Sequence, residues 1–319
     1  MTAPVGSSTV VSTGSIAFDY ILTFRGHFAD HIIPGKTHVI NLSFLVDTMD
    51  RRRGGVAGNY AYNLALLGHP AAILATAGAD AAEYKEWLEQ MGVDCRGLRI
   101  LEDEHTATGF TTHDADDNQI TGYYGGAMLR AGMLGLADTL PDPGAVIVGP
   151  NAPEAMARLV GECRDAGIPW VYDPAHQLPH LSAADLEAGS RGAWILIGND
   201  YELELIRQRT GRDDAGLLEM AQMVVTTHGR QGSVIATADG EIRIPPALAG
   251  VEVDPVGAGD AYRAGLVHGL LSGFGPERAG RIASVAASYV VEKSGTVEHT
   301  YTPAEFAARY DAAFGAQPW

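Results

Sequence analysis

The chain has 319 residues, 46% hydrophobic and 19% charged, which supplies a large core and suits one large α/β domain or two smaller ones. Its formal net charge of −17 argues against nucleic acid or an anionic membrane as a partner. The start of the chain lacks the basic and apolar segments of a signal peptide, and no apolar run approaches the ~20 residues that span a bilayer. A cytoplasmic protein with no membrane partner is therefore expected. Cys95 and Cys163 match no metal-ligand spacing and read as reduced thiols. Lysine occurs only at 36, 85 and 293, so arginine and backbone amides are the expected anion partners.

In chain order, Thr9 to Ser15 reads as a strand ending in a glycine turn, with Asp19 just past it. Asn41 to Val46 has the character of a half-exposed strand. A helix opens at Gly54-Gly-Val-Ala-Gly-Asn59, carries Ala61, Leu64, Ala65 and Leu67, and stops at Gly68. Ala71 to Ala77 is a buried strand, and Ala82 to Met91 a helix capped by Gly92. Residues 105–125, rich in Thr, Gly and Tyr, suggest exposed β-structure with a hairpin near Asp114 to Asn118.

The second half alternates regularly. Strands are expected at Ala145–Val148, Pro169–Tyr172, Ala193–Ile197 and Met223–Thr226, with helices at Pro153–Ala166 and Asp200–Arg209. Ala238-Asp-Gly240 turns a hairpin between Val234–Thr237 and Glu241–Ile244. Short apolar runs alternating with helices indicate a mainly parallel central sheet flanked by helices. The polar β-like stretches near 20–53 and 105–127 break that alternation and are read as a small β-sheet lid on a single α/β domain spanning 1–319. Ligands of such sheets bind beyond the carboxyl ends of the strands, where Asp19, Asp173, Asn199, Thr227 and Asp260 are expected.

The most telling stretch is Asp254-Pro-Val-Gly-Ala-Gly-Asp260, which precedes an apolar helix. Gly257 and Gly259 allow a tight turn and expose N–H groups at the positive end of that helix, which makes an anion site. Asp260 places a carboxylate inside it. That combination suits a base that deprotonates a hydroxyl while a phosphoryl group arrives. The same residues read equally well as a tight N-cap. Gly-x-Gly here lacks the third glycine of a dinucleotide fingerprint, and no Gly-x4-Gly-Lys-Ser/Thr loop occurs.

Four motifs, in order, resemble the ribokinase-type carbohydrate and nucleoside kinases of the PfkB family. They are Arg53-Gly-Gly-Val-Ala-Gly-Asn59, Asn199-Asp-Tyr-Glu202, Val225-Thr-Thr-His-Gly-Arg-Gln-Gly232 and Asp254-Pro-Val-Gly-Ala-Gly-Asp260. With Ser43-Phe-Leu-Val-Asp47 and Ala127-Met128 they look most like actinobacterial adenosine kinases. The resemblance implies a ribokinase-like fold and transfer of the γ-phosphate of ATP to a nucleoside 5′-hydroxyl, with adenosine to AMP the leading reaction. A sugar kinase of the same fold is the alternative, and a non-catalytic nucleoside or sugar sensor a further one.

By that resemblance Asp260 is the base, and Gly257, Ala258 and Gly259 offer amides to the transferred group. Asn199 and Glu202 hold Mg²⁺, directly or through water, and Thr227, Gly229 and Gly232 bracket ATP together with Asn199. Asp19 takes the ribose hydroxyls, Gly55 lets the sugar lie against backbone, and Asn59 bonds a sugar hydroxyl. Gln177 bonds the base edge; His176 stands where the resemblance has a second glutamine. Phe110 and Tyr123, with Tyr124, clamp the base. The family's monovalent cation, K⁺, falls beside Asp254. Arg263 reads as a surface residue or a phosphate contact. Exposed edges on the lid imply a homodimer formed through it.

Overall fold

Runs such as Ala145-Val-Ile-Val148 bury every side chain, which only a strand covered on both faces can do. The computed structural model describes residues 9–32, 43–116, 118–139 and 142–319. In chain order the elements are β1 (Val10–Thr13), β2 (Ala17–Thr23), β3 (Thr48–Gly54), α1 (Val56–Leu66), β4 (Ala71–Gly78), α2 (Ala82–Gln90) and β5 (Asp94–Leu101). Next come β6 (Ala107–His113), β7 (Gln119–Tyr124), β8 (Ala145–Val148), α3 (Pro153–Ala166), β9 (Trp170–Tyr172) and α4 (Ala183–Ser190). The remainder is β10 (Ile195–Asn199), α5 (Asp200–Thr210), α6 (Asp214–Met220), β11 (Met223–Thr227), β12 (Ser233–Thr237), β13 (Gly240–Ile244), α7 (Ala258–Leu271), α8 (Pro276–Val290) and α9 (Pro303–Phe314).

The main sheet runs β13-β12-β11-β10-β9-β8-β1-β4-β5. It is parallel from β11 to β5, and β12 and β13 add an antiparallel hairpin at one edge. Successive side chains supply opposite faces. Val10, Ile73, Ile147, Ile195 and Val225 pack with α1, α2, α7 and α8. Val11, Leu74, Val146, Leu196 and Val224 pack with α3 to α6. From β1 the chain goes to β4 on one side and later returns through β8 on the other. That reversal opens a crevice beyond the carboxyl ends of the strands.

A second, four-stranded sheet, β3-β2-β6-β7, forms the lid. It begins at Ala17, so Asp19 lies inside a lid strand and not in the loop after β1 as expected. The strand expected at 41–46 is also displaced. Residues 41 and 42 lie outside the described ones, 43–46 have no regular structure, and pairing starts at Thr48. Phe44 instead stacks on Phe24 (4.6 Å between ring centroids), so its apolar surface is satisfied away from a sheet. β5, to which the sequence reading assigns nothing, pairs with β4 at the sheet edge.

The turn from lid to body depends on Gly55, at φ +87°. A β-carbon there would lie 2.6 Å from both Ala17 N and Ser15 O. Gly68 also has a positive φ, +71°, but a β-carbon would meet nothing. Gly55→Ala is expected to cost about 2–4 kcal/mol and lower the melting temperature by roughly 4–10 °C, against about 1 kcal/mol for Gly68→Ala. Calorimetric melts of the two variants check this, and equal losses would refute the backbone-clash account.

Candidate active site

α7 starts at a glycine N-cap, Gly257, in the left-handed region (φ 85°). Val256 N donates to Asp254 Oδ1 (3.0 Å), Ala258 N to Pro255 O (3.3 Å), and Asp260 N and Ala261 N to Gly257 O (both 3.1 Å). Among the described residues this leaves the amides of Gly257 and Gly259 without an acceptor. The predicted cradle therefore has two open donors, with the Ala258 amide already engaged. Both lie at the positive end of a 14-residue helix, where an anion is favoured.

Asp260 sits on the first turn of α7, and its carboxylate accepts from Asn59 Nδ2 at 2.7 Å. Asn59 is held in turn. The Thr296 hydroxyl lies 2.9 Å from Asn59 Oδ1 and 3.2 Å from Arg53 O, which fixes the amide so that its NH₂ faces Asp260. Asn63, one turn along α1, donates to Asn59 O (2.8 Å) and receives His299 Nε2 (3.0 Å). Asn59 thus spends one of its two amide N–H bonds on Asp260, and the second is without an acceptor among the described residues. Burial pushes Asp260 up to about 7, although Arg263 and the Asn59 hydrogen bond both pull it down.

Asp19 differs. Its Oδ2 lies where a β-carbon on Gly54 would come within 2.3 Å, and its Oδ1 where one on Gly109 would come within 2.8 Å. No donor among the described residues reaches it, and burial raises its pKa. It is an acceptor pair awaiting donors. Strand pairing puts Asp19, Gly109 and Tyr123 on one lid face. Phe110 falls on the other face, stacked on Tyr20 (5.2 Å, 16°), so it does not clamp a base beside Asp19. Side-chain alternation along β6 is the reason: one residue earlier would have faced the site, and that residue is glycine. Gly55 faces the backbone of residues 15–17, so its missing side chain serves chain packing and not a sugar.

Register pairs Asn199 with Thr227 at the carboxyl ends of β10 and β11. Asn199 and Glu202 form a reciprocal cap on α5: Glu202 N donates to Asn199 Oδ1 (2.8 Å) and Asn199 N to Glu202 Oε2 (2.7 Å). Glu202 Oε1 has no hydrogen-bond partner among the described residues. Burial, first, and the nearby Asp173 raise its pKa, so a cation close by would be favoured. Gly229 borders open space, whereas a β-carbon on Gly232 would strike Ile244 O at 2.1 Å, so Gly232 shapes the turn. Gln177 is buried, its side chain without a partner among the described residues, while His176 is exposed. Both oxygens of Asp254 accept backbone amides, from Val256 and Gly295.

One group, Thr296, was not foreseen, and another, Arg263, was left undecided. Thr296 follows α8 in a stretch with no motif around it. Arg263 is neither a surface residue nor free: it is 6% exposed and ion-paired with Asp173, 1% exposed. Nη2 reaches Asp173 Oδ1 at 2.7 Å, and Tyr60 donates to Asp173 Oδ2 at 2.5 Å. Its spacing, one turn after Asp260, was the available signal.

Residues 9–303 match the pfkB family carbohydrate kinases. The chain belongs to the PfkB family. It is 33% identical to a nucleoside kinase of Methanothermobacter thermautotrophicus over 313 residues, covering 97% of each chain. Among solved structures it is similar to the Burkholderia thailandensis nucleoside kinase in complex with inosine, at 38% identity and a TM-score of 0.86, covering 97% of this chain and 99% of that one. The Methanocaldococcus jannaschii nucleoside kinase gives the same TM-score at 26% identity, covering 96% and 99%. The central sheet, flanking helices and small lid are those of the ribokinase fold.

A carboxyl group whose value is raised on folding costs stability when ionised. That cost is absent below about pH 4, grows as pH rises to 7, and is constant above. Asp260→Asn is therefore expected to be more stable than the parent at pH 8, by on the order of 2 kcal/mol given its partial exposure to the cleft, with the curves converging near pH 4. Denaturant unfolding at pH 4 and 8 measures this; a gap that widens toward acid would contradict it.

Proposed function

We propose that this chain transfers the γ-phosphoryl group of ATP to the 5′-hydroxyl of a nucleoside. The carrying observation is Asp260, a carboxylate held by Asn59 beside two open amides at the start of α7, with its pKa near neutrality. A base near 7 is partly ionised at neutral pH and strong enough to take a hydroxyl proton as the phosphorus–oxygen bond forms. The Gly257 and Gly259 amides and the helix dipole then meet the charge on the arriving phosphoryl group. Asp19, with no donor among the described residues, accepts the two ribose hydroxyls and fixes which oxygen faces Asp260. Asn199, Thr227 and Gly229 line the ATP side, and Gly232 shapes their loop.

Mg²⁺ fits Glu202, whose free Oε1 and raised pKa suit a cation held through water, and the ion would neutralise the phosphates when bound. Asp254 is the residue beside which K⁺ is proposed. Gln177 and Tyr123 supply a polar group and a ring for the base, which favours a purine nucleoside. Adenosine, giving AMP in purine salvage, leads; inosine, the ligand named for the Burkholderia thailandensis protein, is the second acceptor proposed.

The lid is also proposed to join two copies. Its outer face carries Met49, Phe110 and Ile120, which are 65%, 48% and 46% exposed, and its outer strands β3 and β7 leave unpaired edges. A single cytoplasmic α/β domain acting as a homodimer is the resulting picture.

With ATP and Mg²⁺, adenosine or inosine is expected to be turned over at least ~10²-fold faster than free ribose, with activity rising through pH 7 as Asp260 ionises; strong turnover of ribose alone would reverse the substrate assignment. Asp260→Asn is expected to keep nucleoside binding and lose at least ~10²-fold in kcat, and an unchanged kcat would end the base assignment. Sedimentation is expected to give a dimer at micromolar concentration and a monomer for Phe110→Glu; a monomeric parent would remove the lid interface.

A further inference from the structure

Arg263 is anchored in an unusual way. Its Nε contacts Asp173 Oδ2, and its Nη2 lies 2.7 Å from Asp173 Oδ1 and 3.9 Å from Glu202 Oε2. Tyr60, buried and donating to the same Asp173, locks the carboxylate from the other side. The third nitrogen, Nη1, has no acceptor among the described residues and is not sealed from solvent. A β-carbon built on Gly259 would lie 2.8 Å from it. Nη1 therefore borders one of the two open amides of the cradle.

Burying a guanidinium and a carboxylate together is expensive and is repaid only by good geometry. An ion pair that served stability alone would have no need to leave two N–H bonds unspent beside an anion site. Arginine alone among side chains can hold a carboxylate with one edge of its plane and present a further donor from another. Gly259 fits the same picture, since a side chain there would collide with Nη1.

We propose that Arg263 is a catalytic residue whose Nη1 donates to an oxygen of the phosphoryl group in transit, with Asp173 and Tyr60 holding the guanidinium in place. The proposal rests on the kinase reading of Asp260. Arg263 stays protonated throughout; it forms and breaks no covalent bond and adds a positive charge to a cradle otherwise made of amides. Because it would touch the terminal phosphoryl group, it distinguishes ATP from ADP.

The test uses Arg263→Lys and the double variant Arg263→Gln/Asp173→Asn, which removes both charges and leaves no buried carboxylate unpaired. Binding of inosine, of ADP and of a non-hydrolysable ATP analogue is measured calorimetrically, alongside kcat with ATP and adenosine. The double variant is expected to bind inosine and ADP within about threefold of the parent, to lose at least ~10-fold in affinity for the triphosphate analogue alone, and to fall ~10²–10³-fold in kcat. Equal losses for ADP and the analogue, or a kcat within about threefold, would overturn the proposal. Should the double variant fail to fold, Arg263→Lys carries the same comparison, because lysine cannot grip Asp173 with two nitrogens and present a third. A parent that phosphorylates no nucleoside would instead defeat the kinase reading, and the analogue-against-ADP comparison would still judge Arg263.

Discussion

The hydrogen bond from Asn59 to Asp260 is the constraint on which the site depends. It joins side chains 201 positions apart, one on the helix that leaves the lid and the other at the start of a helix near the end of the chain. The carboxylate is densely enclosed, which raises its proton affinity. The amide contact limits that rise, and it also occupies one oxygen, Oδ2. An ionised carboxylate can only accept, so Nδ2 faces Asp260, and the Thr296 hydroxyl, shared between Asn59 Oδ1 and Arg53 O, meets the other end of the amide. A base of the kind proposed requires both a suitable pKa and a fixed direction, and this small chain of groups favours both.

Around that bond the charges divide into two kinds. Asp173 and Arg263 neutralise one another inside the protein, with Tyr60 adding a hydrogen bond. Asp19, Asp260 and Glu202 have raised pKa values, with burial the largest cause in each. Arg263 and the hydrogen bonds from Asn59 and Asn199 offset that burial only in part for Asp260 and Glu202, and negative charge at these carboxylates would repel a polyphosphate. The design is coherent only if hydroxyls, a proton and a cation are what they meet. In a chain of net charge −17, the groups here that favour an anion are local ones: the amides of Gly257 and Gly259 and the positive end of α7.

Much of this was legible in the residues. Short apolar runs between helices gave the parallel sheet, and Gly257 to Asp260 gave the cradle, because both are local patterns with local causes. β5 escaped because it is an edge strand: Arg96 and the other exposed side chains of Asp94–Leu101 interrupt the apolar signal that marked its neighbours. Arg263 was undecided because its partner, Asp173, lies 90 positions away, and burial of a charge is visible only once that partner is placed. Thr296 had no chance of being found, since its role comes from the packing of the segment after α8 against α1. Asn59 was seen, but its bond to Asp260 was not, because that acceptor stands on another element 201 positions away.

The lid shows how one position of register separates two functions. Along β6 the side chains alternate, so Gly109 faces Asp19 and Phe110 faces Tyr20 on the reverse side. The inner face is kept open by glycine, which lets the Asp19 carboxylate lie flat against the strand, and Tyr123 on β7 borders it. The other face carries Tyr20, which also packs on the core, and the exposed Phe110, Met49 and Ile120. Shifting β6 by a single residue would put Phe110 against Asp19 and strip the outer face of its central ring. The same alternation that provides room for a polar ligand on one side therefore produces the sticky patch on the other. The polar and the apolar surface of the lid are opposite faces of one four-stranded sheet.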